Sequence, residues 1–534
     1  MAHVEKADTF NHAHSHTYTH KMTASVARIV NGGTDENDTD KCSEEVNETS
    51  GRLISESLMT PVNRMFHGRS VFITGASGFI GRVLLEKLLR CYGGIRRVYI
   101  LLRPKKNVPA KERLHRQLLN APIFDKIRSM QNGGQELLDK IVVVEGDIGE
   151  QMFGLSDSDV NMLLTDTTLS VVFHSAATVK FDEPMHKSIK FNLTATDTVI
   201  KLCKRMPNLI CLCHVSTAYV NSDMQDNQII EEKLYPMRET PSQMIELARL
   251  LDERLMKRIQ PALVGDRPNT YTYTKALGEH LIALEASQLP VAIVRPSIVV
   301  AAWKEPLPGW IDNVNGPTGM LIAIGKGLLR TMNAKRNCRA DIVPVDIVVN
   351  TMIAAGYCAA KSAGKLDTQV SSSGLEMVNG QANKQLEEQK PHIFHCTSGD
   401  INPVTWGQME DTLFPVLRHY PSTGQFRYPF GTFKSNKYHD KVTRIIVHYL
   451  PALIIDFICL ILGKKRQLLP IYSRIHSALA SLSHFSTTNY NFKSNNMKLI
   501  QGTLTHPEDR RQLYTDIGQL DWIQYWNIYM LGAR

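Results

Sequence analysis

The run TGASGFIG, Thr74–Gly81, constrains this chain more than any other segment. It joins an apolar run, Val71, Phe72 and Ile73, to a stretch whose apolar residues have helical spacing, Val83, Leu84, Leu85, Leu88 and Leu89. Strand, glycine turn and helix in that order open a parallel βαβ unit. Gly75 allows the tight turn, Gly78 lets the backbone approach a pyrophosphate, and Gly81 lets the helix pack close to the strand. The helix start then offers unpaired N–H groups and a positive dipole end to phosphate. Thr74, Gly75, Ser77, Gly78, Phe79, Ile80 and Gly81 are therefore candidate cofactor contacts.

Further buried strands follow at intervals: Val98–Leu102, Ile141–Ile148, Leu169–Ala177, Leu209–Thr217, Val291–Val299 and His392–Gly399. Helices are expected between them, for example over Glu183–Cys203 and Thr274–Ser287. This alternation predicts an α/β, doubly wound Rossmann fold over 65–415, interrupted by a polar insertion at 361–390. From 416 to 534 aromatic and basic residues rise and a mainly helical C-terminal domain is expected. Residues 1–64, rich in Asn, Thr, Asp, Glu and Ser, read as a disordered tail.

The charge distribution is uneven. The formal charge is +9 overall. Residues 1–55 hold nine carboxylates against five Lys and Arg, a local charge of −4, so the remainder is a basic body of about +13. Such a body suits an anionic substrate or an anionic membrane surface. Without a compact basic run interleaved with aromatics, nucleic acid is not an expected partner. The nine Cys form no CxxC pair, and a reduced, cytosol-facing protein is expected, with neither disulfides nor a metal site. No apolar signal segment opens the chain, which begins instead with a tract containing His12, His14, His16 and His20.

Residues 445–462, IIVHYLPALIIDFICLIL, are continuously apolar over 18 positions, the lower edge for a membrane span. Their Ile, Leu, Val and Phe favour insertion by roughly 4 to 7 kcal/mol, and Asp456 near the centre opposes it by about 3. A span and a buried or interfacial helix both remain open, and Lys464, Lys465 and Arg466 suit anionic lipid in either case.

About 190 residues after the glycine turn stands YTYTK, which places Tyr271 and Lys275 at i and i+4 on one helix face. An ammonium beneath a phenol biases it toward proton transfer near neutral pH. The strand before it ends in HVST, offering the hydroxyls of Ser216 and Thr217 at a carboxyl edge, where doubly wound sheets bind ligands. Tyr273 lacks the i+4 lysine and points to another helix face. Cofactor choice is read after the second strand. An NAD enzyme places an acidic residue there, whereas this chain has Arg103, Lys105 and Lys106, which fit a 2′-phosphate and favour NADPH. Asp147 after the third strand is a candidate adenine contact, and Ala176 and Ala177 are small enough for a dinucleotide to lie against the backbone.

The glycine turn, VSTAYVN and YTYTK resemble the extended short-chain dehydrogenase/reductase superfamily. Within it RPKK, NTYTYTKALGE, VRPSIV and PGWIDNVNGPTG are similar to the alcohol-forming fatty acyl-CoA reductases, particularly those of insects. HYLPALIIDFICLILGKK, IYSRIH, STTNYNF and DIGQLDWIQYWNIYMLGAR resemble that family's carboxyl-terminal domain. The resemblance covers about residues 65–534. It implies reduction of long-chain or very-long-chain fatty acyl-CoA to the primary alcohol, with two NADPH and a bound aldehyde. Tyr271 would protonate the developing oxyanion, Thr217 or Ser216 would hydrogen-bond the same oxygen, and Lys275 would hold the nicotinamide ribose and lower the phenol pKa. Membrane association is implied, at the endoplasmic reticulum first and the peroxisome second, as is a homodimer. With the chain ending at Gly532–Arg534, attachment would rest on 445–462 or on surface binding. Three alternatives compete: a superfamily enzyme acting on a steroid or sugar, a reductase stopping at the aldehyde, and a non-catalytic NADPH-binding membrane scaffold.

Overall fold

The computed structural model describes residues 59–131, 133–366, 390–422 and 424–533. The expected tail, with its four histidines, lies outside the described residues up to position 58, as does the insertion from 367 to 389. The folded body starts before residue 65. Thr60 caps a short helix, Pro61–Phe66, whose Val62, Met65 and Phe66 enter the core.

Seven parallel strands form the central sheet: β1 (Ser70–Thr74), β2 (Val98–Leu102), β3 (Ile141–Glu145), β4 (Leu169–His174), β5 (Cys211–Val215), β6 (Val291–Pro296) and β7 (His392–Cys396). Their spatial order is 3-2-1-4-5-6-7. β1 therefore lies between β2 and β4, with Val71 opposite both Val98 and Val171. Strands buried on both faces have near-continuous apolar sequence, which is why VYILL and LSVVFH were legible as strands. The run Val291–Val299 is not one strand: it breaks after Pro296, and Ile298–Val300 pairs separately with Ile342–Pro344. Helices cover both faces, among them α1 (Phe79–Cys91), α2 (Thr270–Glu285) and α3 (Val345–Ser362). The helix expected over 183–203 is three segments, with a π-helical stretch, Ile189–Thr194, between Met185–Ser188 and Ala195–Lys204.

The C-terminal part is mainly helical, with α4 (Lys437–Ile461), α5 (Leu468–Thr487) and α6 (Trp522–Ala533). No element break occurs at 415, which lies inside the helix Trp406–His419. Two short parallel pairings tie this part to the sheet domain, Thr432–Lys434 with Thr331–Asn333 and Asn491–Phe492 with Ile229–Ile230. The apolar segment noted at 445–462 belongs to a helix starting eight positions earlier, at Lys437.

Candidate active site

β1 and β4 are neighbours whose chain connections leave in opposite directions, so a crevice opens at their carboxyl ends. Gly75 occupies it with φ +81°, and a Cβ there would sit 2.7 Å from the Ala176 amide nitrogen. Only glycine fits both the angle and the approach. A Cβ on Gly81 would lie 2.1 Å from the Gly75 carbonyl oxygen, so this residue packs α1 against the turn itself rather than the strand. Gly78 is the N-cap of α1 and has no side chain to cap its first turn. Those N–H groups are the donors a pyrophosphate needs. Thr74 fixes the floor: its hydroxyl meets His174 Nδ1 at 2.7 Å, and its carbonyl accepts from the Ser175 hydroxyl at 2.9 Å. Ala176 is buried and Ala177 half-buried beside it.

At the end of β2, Arg103 pairs with Asp147 at 3.0 Å, and Asp147 also accepts from the Gly149 amide at 3.0 Å. Lys105 and Lys106 lie exposed on a tight turn closed between Lys105 and Val108. Two further arginines stand here without having drawn notice in the sequence. Arg82, directly after the last glycine, donates to the Ser77 carbonyl at 3.1 Å and pairs with Asp312 at 3.5 Å. Arg113 donates to the Arg103 carbonyl. Its pKa is lowered by burial first and then by the nearby guanidiniums of Arg103 and Arg82. Three arginines around one strand end form a cationic cluster suited to phosphate.

Across the sheet, Ser216 and Thr217 directly follow β5, and α2 packs nearby. Asn269 caps α2 by accepting from the Thr272 amide at 2.9 Å. The Thr217 hydroxyl donates to the Pro296 carbonyl at 3.5 Å and lies close enough to the Tyr271 phenol to oppose the rise of its pKa. Thr217 also accepts from the Tyr219 amide at 3.3 Å, which fixes its rotamer. Ser216 is different: its hydroxyl is buried and has no hydrogen-bond partner among the described residues. Thr217 is thus the hydroxyl that meets Tyr271. Tyr273 turns away and bonds Glu239 at 3.1 Å.

The Lys275 ammonium donates to the Val215 carbonyl at 2.7 Å. Burial pushes the Tyr271 phenol up to about 12, and the opposing influence is the Thr217 hydroxyl rather than Lys275. Burial also drives Lys275 down to about 8, partly offset by Glu279 one turn on. The neighbouring imidazoles His174 and His214, tilted at 38° with centroids 5.2 Å apart, stay neutral, because burial and then the Lys275 charge lower both; His174 is brought to about 3. Glu279 is held by Arg295 through two bonds of 2.8 and 2.6 Å, with both side chains buried.

Two positioning groups escaped the sequence. Asn192, in the π-helical stretch, accepts from the Thr178 amide at 2.9 Å and donates to the Thr274 hydroxyl at 3.0 Å. It ties the loop after β4 to α2. Phe181 contacts the Tyr271 ring at 5.8 Å between centroids and the Phe485 ring at 5.5 Å. Phe485 belongs to α5, so the C-terminal part reaches the phenol through one aromatic pair. Tyr219, Tyr490 and Phe492 complete an apolar wall there. A lone Asn or Phe carries no sequence signal for such a place.

Comparisons with known proteins agree with this arrangement. Two family models, both described as male sterility protein, match residues 73–352, where the match is to an NAD-binding domain, and residues 447–534. Fatty acyl-CoA reductase 1 of Rattus norvegicus and fatty acyl-CoA reductase 2 of Mus musculus are each 36% identical over 476 residues, 89% of this chain and 86% of theirs. The terminal R domain of the myxalamid PKS-NRPS pathway shares the fold, with a TM-score of 0.54 at 19% identity over 87% of this chain and 90% of its own. The reductase (R) domain of a nonribosomal peptide synthetase from Mycobacterium tuberculosis does so with 0.51 at 18% identity, over 90% and 97%.

Proposed function

The chain belongs to the fatty acyl-CoA reductase family, and from that premise we propose that it reduces long-chain or very-long-chain fatty acyl-CoA to the primary alcohol through an aldehyde, using two NADPH. The observation carrying this reading is the Thr217–Tyr271 hydroxyl pair at the carboxyl edge of the sheet, beside an apolar aromatic wall.

The glycine cradle and the uncapped start of α1 would hold the pyrophosphate, with Thr74, Ser77, Phe79 and Ile80 lining the turn and Ala176 and Ala177 opposite. Arg103, held by Asp147, would meet the 2′-phosphate together with Lys105, Lys106 and the newly found Arg82 and Arg113. This gives Asp147 the task of orienting Arg103. Lys275 would bind the nicotinamide ribose. Each of two successively bound NADPH would supply one hydride to the same carbon, first in the thioester and then in the aldehyde. Tyr271, protonated across the physiological range, donates its proton to the oxygen that gains charge as the carbonyl is reduced, and Thr217 hydrogen-bonds the same oxygen. After the first reduction the new hydroxyl returns its proton to the Tyr271 phenolate as the carbon–sulfur bond breaks, CoA leaves as thiolate and the carbonyl reforms as aldehyde. A second hydride, with the proton again donated by Tyr271, gives the alcohol. Phe181, Tyr219 and Phe485 exclude water from this oxygen.

The protein would act membrane-associated and facing the cytosol, at the endoplasmic reticulum first and the peroxisome second, and as a homodimer. Product analysis on membranes carrying the protein, with NADPH and a series of acyl-CoAs beside Tyr271→Phe, tests the reaction. Primary alcohol that vanishes in the variant is expected. Aldehyde alone would reduce the reading to a two-electron reductase, and no product with dinucleotide still bound would replace it with a scaffold.

A further inference from the structure

Helix α4 is inside-out. Its inward side chains recur every four residues: Asp440, Arg444, His448, Ala452 and Asp456. A step of four drifts around a 3.6-residue helix, and the wider π-helical turn Ile445–Tyr449 takes up that drift. Asp440, His448 and Asp456 are each fastened to residues outside the helix. Asp440 accepts from the Thr331 hydroxyl at 2.8 Å and pairs with Arg444 at 2.5 Å. His448 Nε2 accepts from the Arg330 amide at 2.9 Å. Asp456 accepts from the amides of Gln467, Leu468 and Leu469 at 2.9–3.0 Å and so caps α5. The charge expected to oppose membrane insertion therefore faces the protein.

The opposite face is apolar and uncovered. Ile446, Leu450, Leu453, Ile454, Phe457 and Ile461 are each 49–69% exposed, on a helix whose most apolar 18-residue window has a mean hydropathy of 2.0. Phe426, Tyr428 and Phe430 are exposed on the loop preceding it. Around His448 stand Arg330, Arg427 and Arg444, each with a buried Nε that has no acceptor among the described residues, while other nitrogens of Arg330 and Arg427 donate to the Tyr428 and Val447 carbonyls and the Tyr472 hydroxyl. Asp440 is paired to Arg444, and no carboxylate is paired with Arg330 or Arg427 among the described residues. Lys464, Lys465 and Arg466 close the helix end, all exposed.

We propose that this face is a monotopic docking surface for an anionic lipid leaflet: α4 lies in the membrane plane with its apolar side among acyl chains, and Arg330 and Arg427 reach headgroup phosphates. The proposal rests on the membrane association proposed above and replaces a span with an in-plane helix. Three fastenings along α4 would all have to break for it to cross a bilayer. The uncompensated charge at its edge is of one sign, which suits anionic lipid and repels a second copy of the same face. α5 starts where Asp456 caps it and ends with Phe485 against Phe181, so one helix of about 30 Å joins the leaflet to the phenol.

Vesicle flotation of the purified full chain tests this, with phosphatidylcholine alone and mixed with phosphatidylserine. The wild type is expected to float with both and better with phosphatidylserine. Leu453→Glu with Phe457→Glu should abolish flotation with both while the melting temperature stays unchanged. Arg330→Gln and Arg427→Gln should each remove about fivefold of the phosphatidylserine advantage. An N-glycosylation acceptor inserted after Gly463 should stay unmodified in microsomes. Its glycosylation would establish a span and overturn the in-plane helix while leaving membrane association standing. A dimer in buffer that Phe457→Glu dissociates, with no flotation of the wild type, would make the face a self-interface and sink the lipid reading. Acyl-CoA reduction measured on the same samples keeps this outcome separate from a failure of the enzymatic reading.

Discussion

Helices α2 and α4 both turn charged groups toward the protein, for opposite reasons. α2 is covered on nearly every side from Thr270 to Ile282, so Lys275 and Glu279 are inside because there is no outside. Each then meets a specific partner, the Val215 carbonyl and the Arg295 guanidinium. α4 is covered on one side only, and its charges are inside because the free side is apolar. A charged residue in a helix thus does not reveal where water is. What its partners are, and what covers the other face, decides whether the helix serves chemistry or a surface.

The contrast can be broken most severely at the phenol. Tyr271→Phe removes the proton donor and should lower alcohol formation by about 10²- to 10⁴-fold with dinucleotide binding intact, measured by steady-state turnover and by titration of the cofactor. Glu279→Ala should be the largest stability change. It leaves a buried guanidinium unpaired, which costs about 3–5 kcal/mol in denaturant unfolding. A value near zero would mean that His395 and the Glu231 and Lys233 carbonyls suffice for Arg295.

Lys275 sharpens the comparison through pH. Its folded pKa, about 8, lies below the ordinary 10.5, so folding disfavours its charged form. That penalty is fully present below pH 8 and is relieved as pH rises from 8 to 10.5. Lys275→Met should abolish activity, and its stability relative to wild type should be best below pH 8 and decline above it, read by thermal melting across that window. Asp456 has the opposite sign. Three backbone donors, the Leu469 amide foremost, hold its carboxyl below the usual range, so its contribution is present above that range and lost as pH falls through it. Asp456→Asn should lower the melting temperature at neutral pH, with the difference closing under acid.

The smallest effect belongs to the outer face of α4. Phe457→Gln should change unfolding free energy by no more than about 0.5 kcal/mol, since the ring is 62% exposed. A larger loss would show that the face is covered after all.

Much of this was legible from residues alone. β2 falls where VYILL predicted it, because a strand buried on both faces must be apolar throughout. Gly75 and Gly81 were legible because a positive φ and a 2.1 Å approach admit nothing else. Tyr271 and Thr217 were legible as types, since only certain groups move protons. Other features depended on distance in space. Arg113 and Asn192 are unremarkable in sequence and join the site only when strand ends converge. Thr217 and Ser216 could not be separated until the backbone placed one hydroxyl beside the phenol and left the other without a hydrogen-bond partner among the described residues.

The sequence by itself determined the parallel sheet, the glycine cradle and the phenol helix, because local periodicity and backbone geometry act over a few residues. Tertiary structure alone decided that Lys275 rests on the Val215 carbonyl, that Phe485 reaches Phe181 from the C-terminal part, and that Asp456 caps α5 instead of facing outward. Hydrogen bonds and burial depend on which atoms meet, and those meetings are set by packing between segments hundreds of residues apart.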